Sequence, residues 1–386
     1  MEHADVIAYF GDDPSRTYQL IQWLPVLELL DREHPVGLML RNHDSAEILR
    51  QRTHLAIEVH PEFAALTERY HELDAKVVLY CNNSMINFQS LLDARKLHVH
   101  INHGESDKQS MASNNAKAYD RVFVAGEAAV QRLEAGLLAF DTTKLVRIGR
   151  PQLDLSPAPV LSPTERRTVL YAPTWEGDAE YNDYSSVDTI GPEIAEAIVA
   201  VPDVRIVYKP HPKIAVSKNP AIREGHRRIL EVIGDAAQAE PGAGHVAVVS
   251  GDILAVMPDC DAMVTDVSSV GLDWLYLKTD RPIFVTDRHQ DPERLRQEVP
   301  VSRCADVIEA HPGIERLDVE GLTALLASRL EHDEHHLARV AMRHHYFDDN
   351  QIGDSTRRFI AEVADLVALR DGLLGEATSH GVAMLA

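Results

Sequence analysis

Short runs of aliphatic and β-branched residues alternate with longer amphipathic runs along the first half of the chain. The apolar runs Val6–Phe10, Val36–Leu40, Leu55–Val59, Val77–Cys81, His98–Asn102 and Arg121–Ala125 predict strands. Between them, apolar positions recur at helical spacing over Ser15–Asp31, Glu62–Leu73, Met85–Lys96 and Glu127–Gly136. Strands alternating with helices form βαβ units, which build a parallel sheet covered on both faces. The rhythm stops at Ser156–Pro163, SPAPVLSP, where three prolines in eight residues disfavour both a helix and a central strand. It restarts with strands predicted at Thr168–Ala172, Val204–Lys209, Val246–Val249, Ala262–Thr265 and Pro282–Val285. Helices are predicted at Pro192–Val201, Ala221–Gly234, Val270–Leu277, Val319–His332 and Ser355–Leu369. The expected organisation is two Rossmann-like, doubly wound α/β domains, 1–155 and 164–350. A C-terminal helix, 351–386, is placed to pack back on the first domain. Such pairs bind ligands beyond the carboxyl ends of their strands, in the cleft between the domains.

Charge narrows the ligand. The formal net charge of −22 speaks against a protein that coats nucleic acid or lies broadly on an anionic membrane. Any phosphate-binding cleft must therefore be locally positive. Three dispersed cysteines, Cys81, Cys260 and Cys304, fit a reducing compartment and form no zinc-binding pair. No apolar stretch approaches the roughly 20 residues of a membrane span, and no signal-peptide pattern opens the chain. These features predict a cytoplasmic protein with at most peripheral membrane contact.

Four strand exits carry chemistry. In HVHINHGESDK, His98–Lys108, an apolar strand delivers His103 and Gly104, with Lys108 shortly after. An imidazole at a strand end is either a general base or a packed strand-end side chain, and Gly104 permits close backbone approach. In IVYKPHP, Ile206–Pro212, two prolines stiffen the presentation of Lys209 and His211. Phosphate is the natural target of such a pair, and a solvated strand exit is the alternative. In AMVTDVSSVGLDWLYL, Ala262–Leu277, a strand ends at Thr265-Asp266 and Ser268-Ser269 open a helix. Serines there cap free N–H groups, and with those groups they form an anion site. In VLYAPTWEG, Val169–Gly177, Thr174 is placed to bond a phosphate or ribose, and Trp175 reads as packing. A fifth segment, Asp348–Arg357, opens the last long helix at Ser355-Thr356 and is either a second phosphate-facing N-terminus or a plain cap.

Several common signatures are missing: GxxxxGK[ST], GxGxxG, HExxH and GxSxG. The pairs His335-His336 and His344-His345 lack the carboxylates of a metal site and read as helix surface.

Taken in order, HG(x)3K at His103–Lys108, APTW at Ala172–Trp175, KPHP at Lys209–Pro212 and TDxSS at Thr265–Ser269 resemble the CDP-glycerol glycerophosphotransferase family. The closing YFDDNQIGDSTRR, Tyr346–Arg358, is similar to that family's terminal DG-x-S/T-x-R region. Val267 stands where the family usually has an aromatic residue. The resemblance implies a GT-B fold, a CDP-glycerol or related CDP-polyol donor, and no bound metal or cofactor. It implies His103 as base and His211 as the phosphate-facing catalytic partner. Lys209, Thr265, Asp266, Ser268, Ser269, Thr174, Ser355 and Thr356 fall on the donor side, and Gly104 and Lys108 on the acceptor side. The implied acceptor is a glycan or polyprenyl-linked hydroxyl. A nucleotide-sugar glycosyltransferase, a UDP-sugar 2-epimerase and a non-catalytic binding protein are the competing readings.

Overall fold

The computed structural model describes residues 1–289, 291–313 and 316–379. The chain divides into two compact units. One comprises Met1–Glu105, Ala112–Leu155 and the stretch from Phe347 onward, and the other Ser106–Met111 and Ser156–Tyr346.

The first unit is built on seven parallel strands: β1 (Val6–Phe10), β2 (Val36–Leu40), β3 (Ala56–Val59), β4 (Val77–Tyr80), β5 (Leu97–His100), β6 (Arg121–Val124) and β7 (Leu145–Arg147). Their order across the sheet is β3-β2-β1-β4-β5-β6-β7. β1 is registered against both neighbours at once, with Val6 opposite Val36 and Val77. Successive side chains of a strand point to opposite faces. Val6, Ala8 and Phe10 accordingly enter one core with Leu24, Leu27 and Phe359, whereas Ile7 and Tyr9 enter another with Leu66 and Tyr70. The long helix Asp354–Ser379 contributes Phe359, Val363, Leu366 and Val367 to the first of these cores.

The second unit has six parallel strands: β8 (Arg167–Ala172), β9 (Val204–Tyr208), β10 (Val246–Ala247), β11 (Ala262–Thr265), β12 (Ile283–Asp287) and β13 (Asp306–Glu309). Their order is β10-β9-β8-β11-β12-β13. Val169, Tyr171, Ile206 and Tyr208 pack on one face against Ile194, Ile198 and Ile229 of the helices Gly191–Val199 and Pro220–Ala239.

Both sheets are thus doubly wound α/β, as the alternation predicts. The differences are local. β7 and β13 were not predicted; they are short, partly exposed edge strands with little apolar signal. The predicted helix Ser15–Asp31 breaks into Pro14–Arg16, Tyr18–Ile21 and Leu24–Leu30, with Pro25 in the first turn of the last piece. Met85–Lys96 keeps only one turn, Asn87–Ser90.

Candidate active site

Strand order decides where a doubly wound sheet can hold a ligand. The order reverses between β8 and β11 in the second unit, so the loops after those strands diverge and leave a crevice at their carboxyl ends. APTW leaves β8 there and TDxSS leaves β11, while KPHP leaves β9, the other neighbour of β8. Three of the predicted segments therefore meet on adjacent strands.

Their side chains divide between support and presentation. Thr265 is fully buried and its hydroxyl donates to the Ala172 carbonyl at 2.8 Å, tying β11 to β8. Asp266 is buried as well. Its carboxylate accepts the Thr174 N–H at 2.7 Å and the Thr286 hydroxyl at 2.6 Å, and burial pushes its pKa up to about 6. These two residues hold the Pro173–Thr174 turn in shape; a buried carboxylate bonded in this way is a poor neighbour for a diphosphate.

The groups presented are basic. Lys209 is 5% exposed, and desolvation lowers its pKa. Its ammonium forms no hydrogen bond or ion pair among the described residues. The His211 N–H donates to the Pro173 carbonyl at 3.1 Å, and the imidazole stacks on Trp175 with centroids 6.1 Å apart. Lys213 Nζ lies 3.6 Å from the centre of the same indole. Trp175 is thus a platform for two basic side chains.

Ser268 occupies the N-cap position of the helix Ser269–Leu277, but its hydroxyl caps nothing. It turns instead toward Thr265 Oγ1, 3.5 Å away. The expectation that this serine satisfies the first N–H groups of the helix is corrected on this point.

Three predicted site residues fall in the unit opposite to the groups they were assigned with. Lys108 does not stay with the unit of His103. The segment Ser106–Met111 belongs to the second unit, where Lys108 Nζ donates to Thr174 Oγ1 at 3.3 Å and lies 5.5 Å from the Tyr184 ring. Burial pulls its pKa down to about 8, opposed by Asp266 and Asp183. Ser355 and Thr356, expected beside the donor, belong to the first unit. The buried Ser355 hydroxyl accepts the Arg150 N–H at 3.1 Å, and the Thr356 N–H donates to Asp154 at 2.6 Å. Gly149, at φ +80°, makes this turn possible; a Cβ there would lie 2.2 Å from Ser355 Oγ. The pair clamps a turn.

A loop that sequence reasoning passed over completes the second unit's site. Arg288, just past β12, donates to the Ser185 carbonyl and Asp188 at 2.6 Å each and pairs with Asp183 at 2.9 Å. Ser186 joins Tyr171 at 2.8 Å and also bonds Asp266. The stretch YNDYSSVD has neither helical nor strand period, so it offered no signal.

In the first unit, His103 follows β5 after Asn102, which takes a left-handed conformation at φ 51°. His103 Nδ1 lies 3.1 Å from the Cys81 carbonyl. A carbonyl only accepts, so Nδ1 carries the proton and Nε2 of the neutral ring carries the lone pair. The Arg150 guanidinium donates to the His103 carbonyl at 3.3 Å, and the Tyr18 ring meets the imidazole edge-on with centroids 6.1 Å apart.

Among the described residues, no group of three or more His, Cys, Asp or Glu has the geometry to hold a metal ion, and no helix is long and apolar enough to cross a membrane.

Comparison with known proteins matches residues 89–365 to the family described as CDP-Glycerol:Poly(glycerophosphate) glycerophosphotransferase. None of the curated proteins matches the chain in sequence. Among solved structures, a putative UDP-N-acetylglucosamine 2-epimerase from Listeria monocytogenes is similar in fold, with a TM-score of 0.61 at 16% identity over 94% of this chain and 96% of that one. The wall teichoic acid polymerase TagF gives 0.58 at 12% identity, over 95% and 90%. The S. aureus MnaA–UDP co-structure gives 0.56 at 14%, over 91% and 94%. At these identities the likeness is one of fold, the GT-B fold.

Proposed function

The chain belongs to the CDP-glycerol:poly(glycerophosphate) glycerophosphotransferase family, and on that premise we propose which of its groups bind the donor and which move the proton. The donor diphosphate is held at the β8/β11 switch point by Lys108, Lys209, His211 and the N-terminus of the helix Ser269–Leu277. The observation that carries this reading is Lys209, a 5% exposed residue whose ammonium makes no hydrogen bond or ion pair among the described residues and whose desolvation outweighs the opposing influence of Asp252. A desolvated cation is costly unless an anion compensates it. Thr265, Asp266 and Thr174 keep the cradle in shape.

The acceptor is a hydroxyl of a glycan or of a polyprenyl-linked glycan. His103 Nε2 takes the hydroxyl proton as the oxygen attacks the glycerol-bearing phosphorus. One P–O bond forms, the P–O bond to CMP breaks, and CMP leaves with the electron pair. Phosphoryl transfer needs positioning and charge neutralisation more than covalent participation by the protein. His211 and the helix N–H groups stabilise the charge developing on the phosphates. A polyprenyl-linked acceptor would bring the enzyme to the membrane surface peripherally.

The test is CMP release from CDP-glycerol, with CDP-ribitol and UDP-sugars run beside it. His103→Asn is expected to lower kcat by about 10²–10⁴-fold while donor affinity stays unchanged. UDP release from a UDP-sugar without CMP release from either CDP-polyol would overturn the reading. Full activity in the His103 variant would remove that residue from the role of base.

A further inference from the structure

The sheet of the first unit has a switch point of its own. β1 and β4 lie side by side, and the chain leaves them in opposite directions across the sheet. The loops that follow bring Asp12 together with Asn82 and Ser84. Asp12 Oδ1 accepts the Ser84 hydroxyl at 2.7 Å, and Oδ2 accepts the Asn82 amide at 2.8 Å. The Asn82 amide also reaches Gln19 Oε1 at 2.9 Å. Asn82 and Gln19 are buried, and Asp12 and Ser84 are half-buried. The Asp12 carboxylate has no ion pair among the described residues. Next in the loop, Asn83 Oδ1 is buried without a hydrogen-bond partner. The same loop anchors His103, because Cys81, whose carbonyl accepts the hydrogen bond from Nδ1–H, directly precedes Asn82.

An ionised carboxylate has about four lone-pair directions, and Asp12 uses two within the cluster. What remains is acceptor capacity without a cation, flanked by a hydroxyl and a carboxamide. Such a set bonds hydroxyl donors and repels phosphate. We infer that this cluster is a binding subsite for a neutral vicinal diol, the end of a polyol or a sugar. Calling that diol the acceptor rests on the transferase reading above; the binding of a diol does not.

Saturation-transfer NMR with glycerol, with methyl α-D-glucopyranoside and with inorganic phosphate tests the subsite on the full chain without donor. The first two probes separate a polyol from a sugar. One or both are expected to bind, phosphate is expected not to displace them, and Asp12→Asn is expected to weaken binding by about tenfold or more. Ser84→Ala is the second variant, with a smaller loss in the same direction, and thermal melts establish that both variants are folded. A wild-type chain that binds neither diol would overturn the inference, as would equal binding by both folded variants. CMP release from CDP-glycerol separates the two proposals. Diol binding without CMP release retains the subsite and sinks the transferase reading. CMP release with an acceptor KM unchanged by Asp12→Asn does the reverse.

Discussion

Lys108 shows how burial turns an ordinary side chain into a pH-dependent ligand. Its folded pKa of about 8 lies below the usual lysine value because its ammonium is desolvated. The unfolded chain therefore binds more protons here between about pH 8 and the usual lysine value. This group's contribution to stability rises with pH across that window. Donor binding runs the opposite way, since a diphosphate favours the charged ammonium, which is lost as pH rises through about 8. The wild-type affinity for CDP-glycerol is expected to fall by up to about tenfold between pH 8 and pH 9. In Lys108→Gln the affinity is already weaker at pH 7, and the slope is shallower because the Lys108 proton no longer contributes. Calorimetric titrations from pH 6.5 to 9.5 check this; an identical slope in the variant would exclude Lys108 from the donor site. Lys108 was legible as a chemically interesting lysine, but its neighbours were not. A local pattern does not record that Ser106–Met111 belongs with the unit formed by residues far downstream.

At the scale of elements, two serines that look alike in sequence separate by their hydrogen bonds. Each sits near the start of a helix, and each could have been a plain cap or a phosphate ligand. Ser355 is fully buried and bonded to the Arg150 N–H, so Ser355→Ala is expected to cost about 1–3 kcal/mol of stability and leave donor affinity alone. Ser268 makes no capping bond, so Ser268→Ala is expected to cost less than about 0.5 kcal/mol and to weaken CDP-glycerol binding. Urea unfolding together with donor titration of both variants decides the matter; a stability loss at Ser268 with unchanged donor affinity would make it an ordinary cap after all. The same contrast explains what the sequence revealed of the fold. β1, β2, β4, β8 and β11 are buried on both faces and stand out as apolar runs. β7 and β13 do not, because three or four half-exposed residues at a sheet edge carry almost no periodic signal. The loop at Asp183–Asp188 was missed for a related reason: its order comes from Arg288, roughly a hundred residues away in sequence.

For the molecule as a whole, the dominant long-range fact is a net charge of −22. The basic groups proposed for the donor are few and buried or half-buried, so their field acts at short range, and an approaching polyanion meets the net negative field first. At low ionic strength this repulsion slows encounter, and salt screens it, with a Debye length of about 8 Å at physiological ionic strength and about 3 Å at 1 M. A neutral acceptor feels no such barrier. At saturating donor, kcat/KM for an oligo(glycerol phosphate) acceptor is therefore expected to rise severalfold between 0.05 and 0.5 M salt, while kcat/KM for free glycerol stays level. Holding the donor at saturation matters, because salt also weakens diphosphate binding and would otherwise mask the trend. A fall with salt for the anionic acceptor would mean that a local basic surface, not the net charge, governs its approach. The diol subsite would then have to work beside a phosphate contact that the loops at Asp12 and Asn82–Ser84 do not supply.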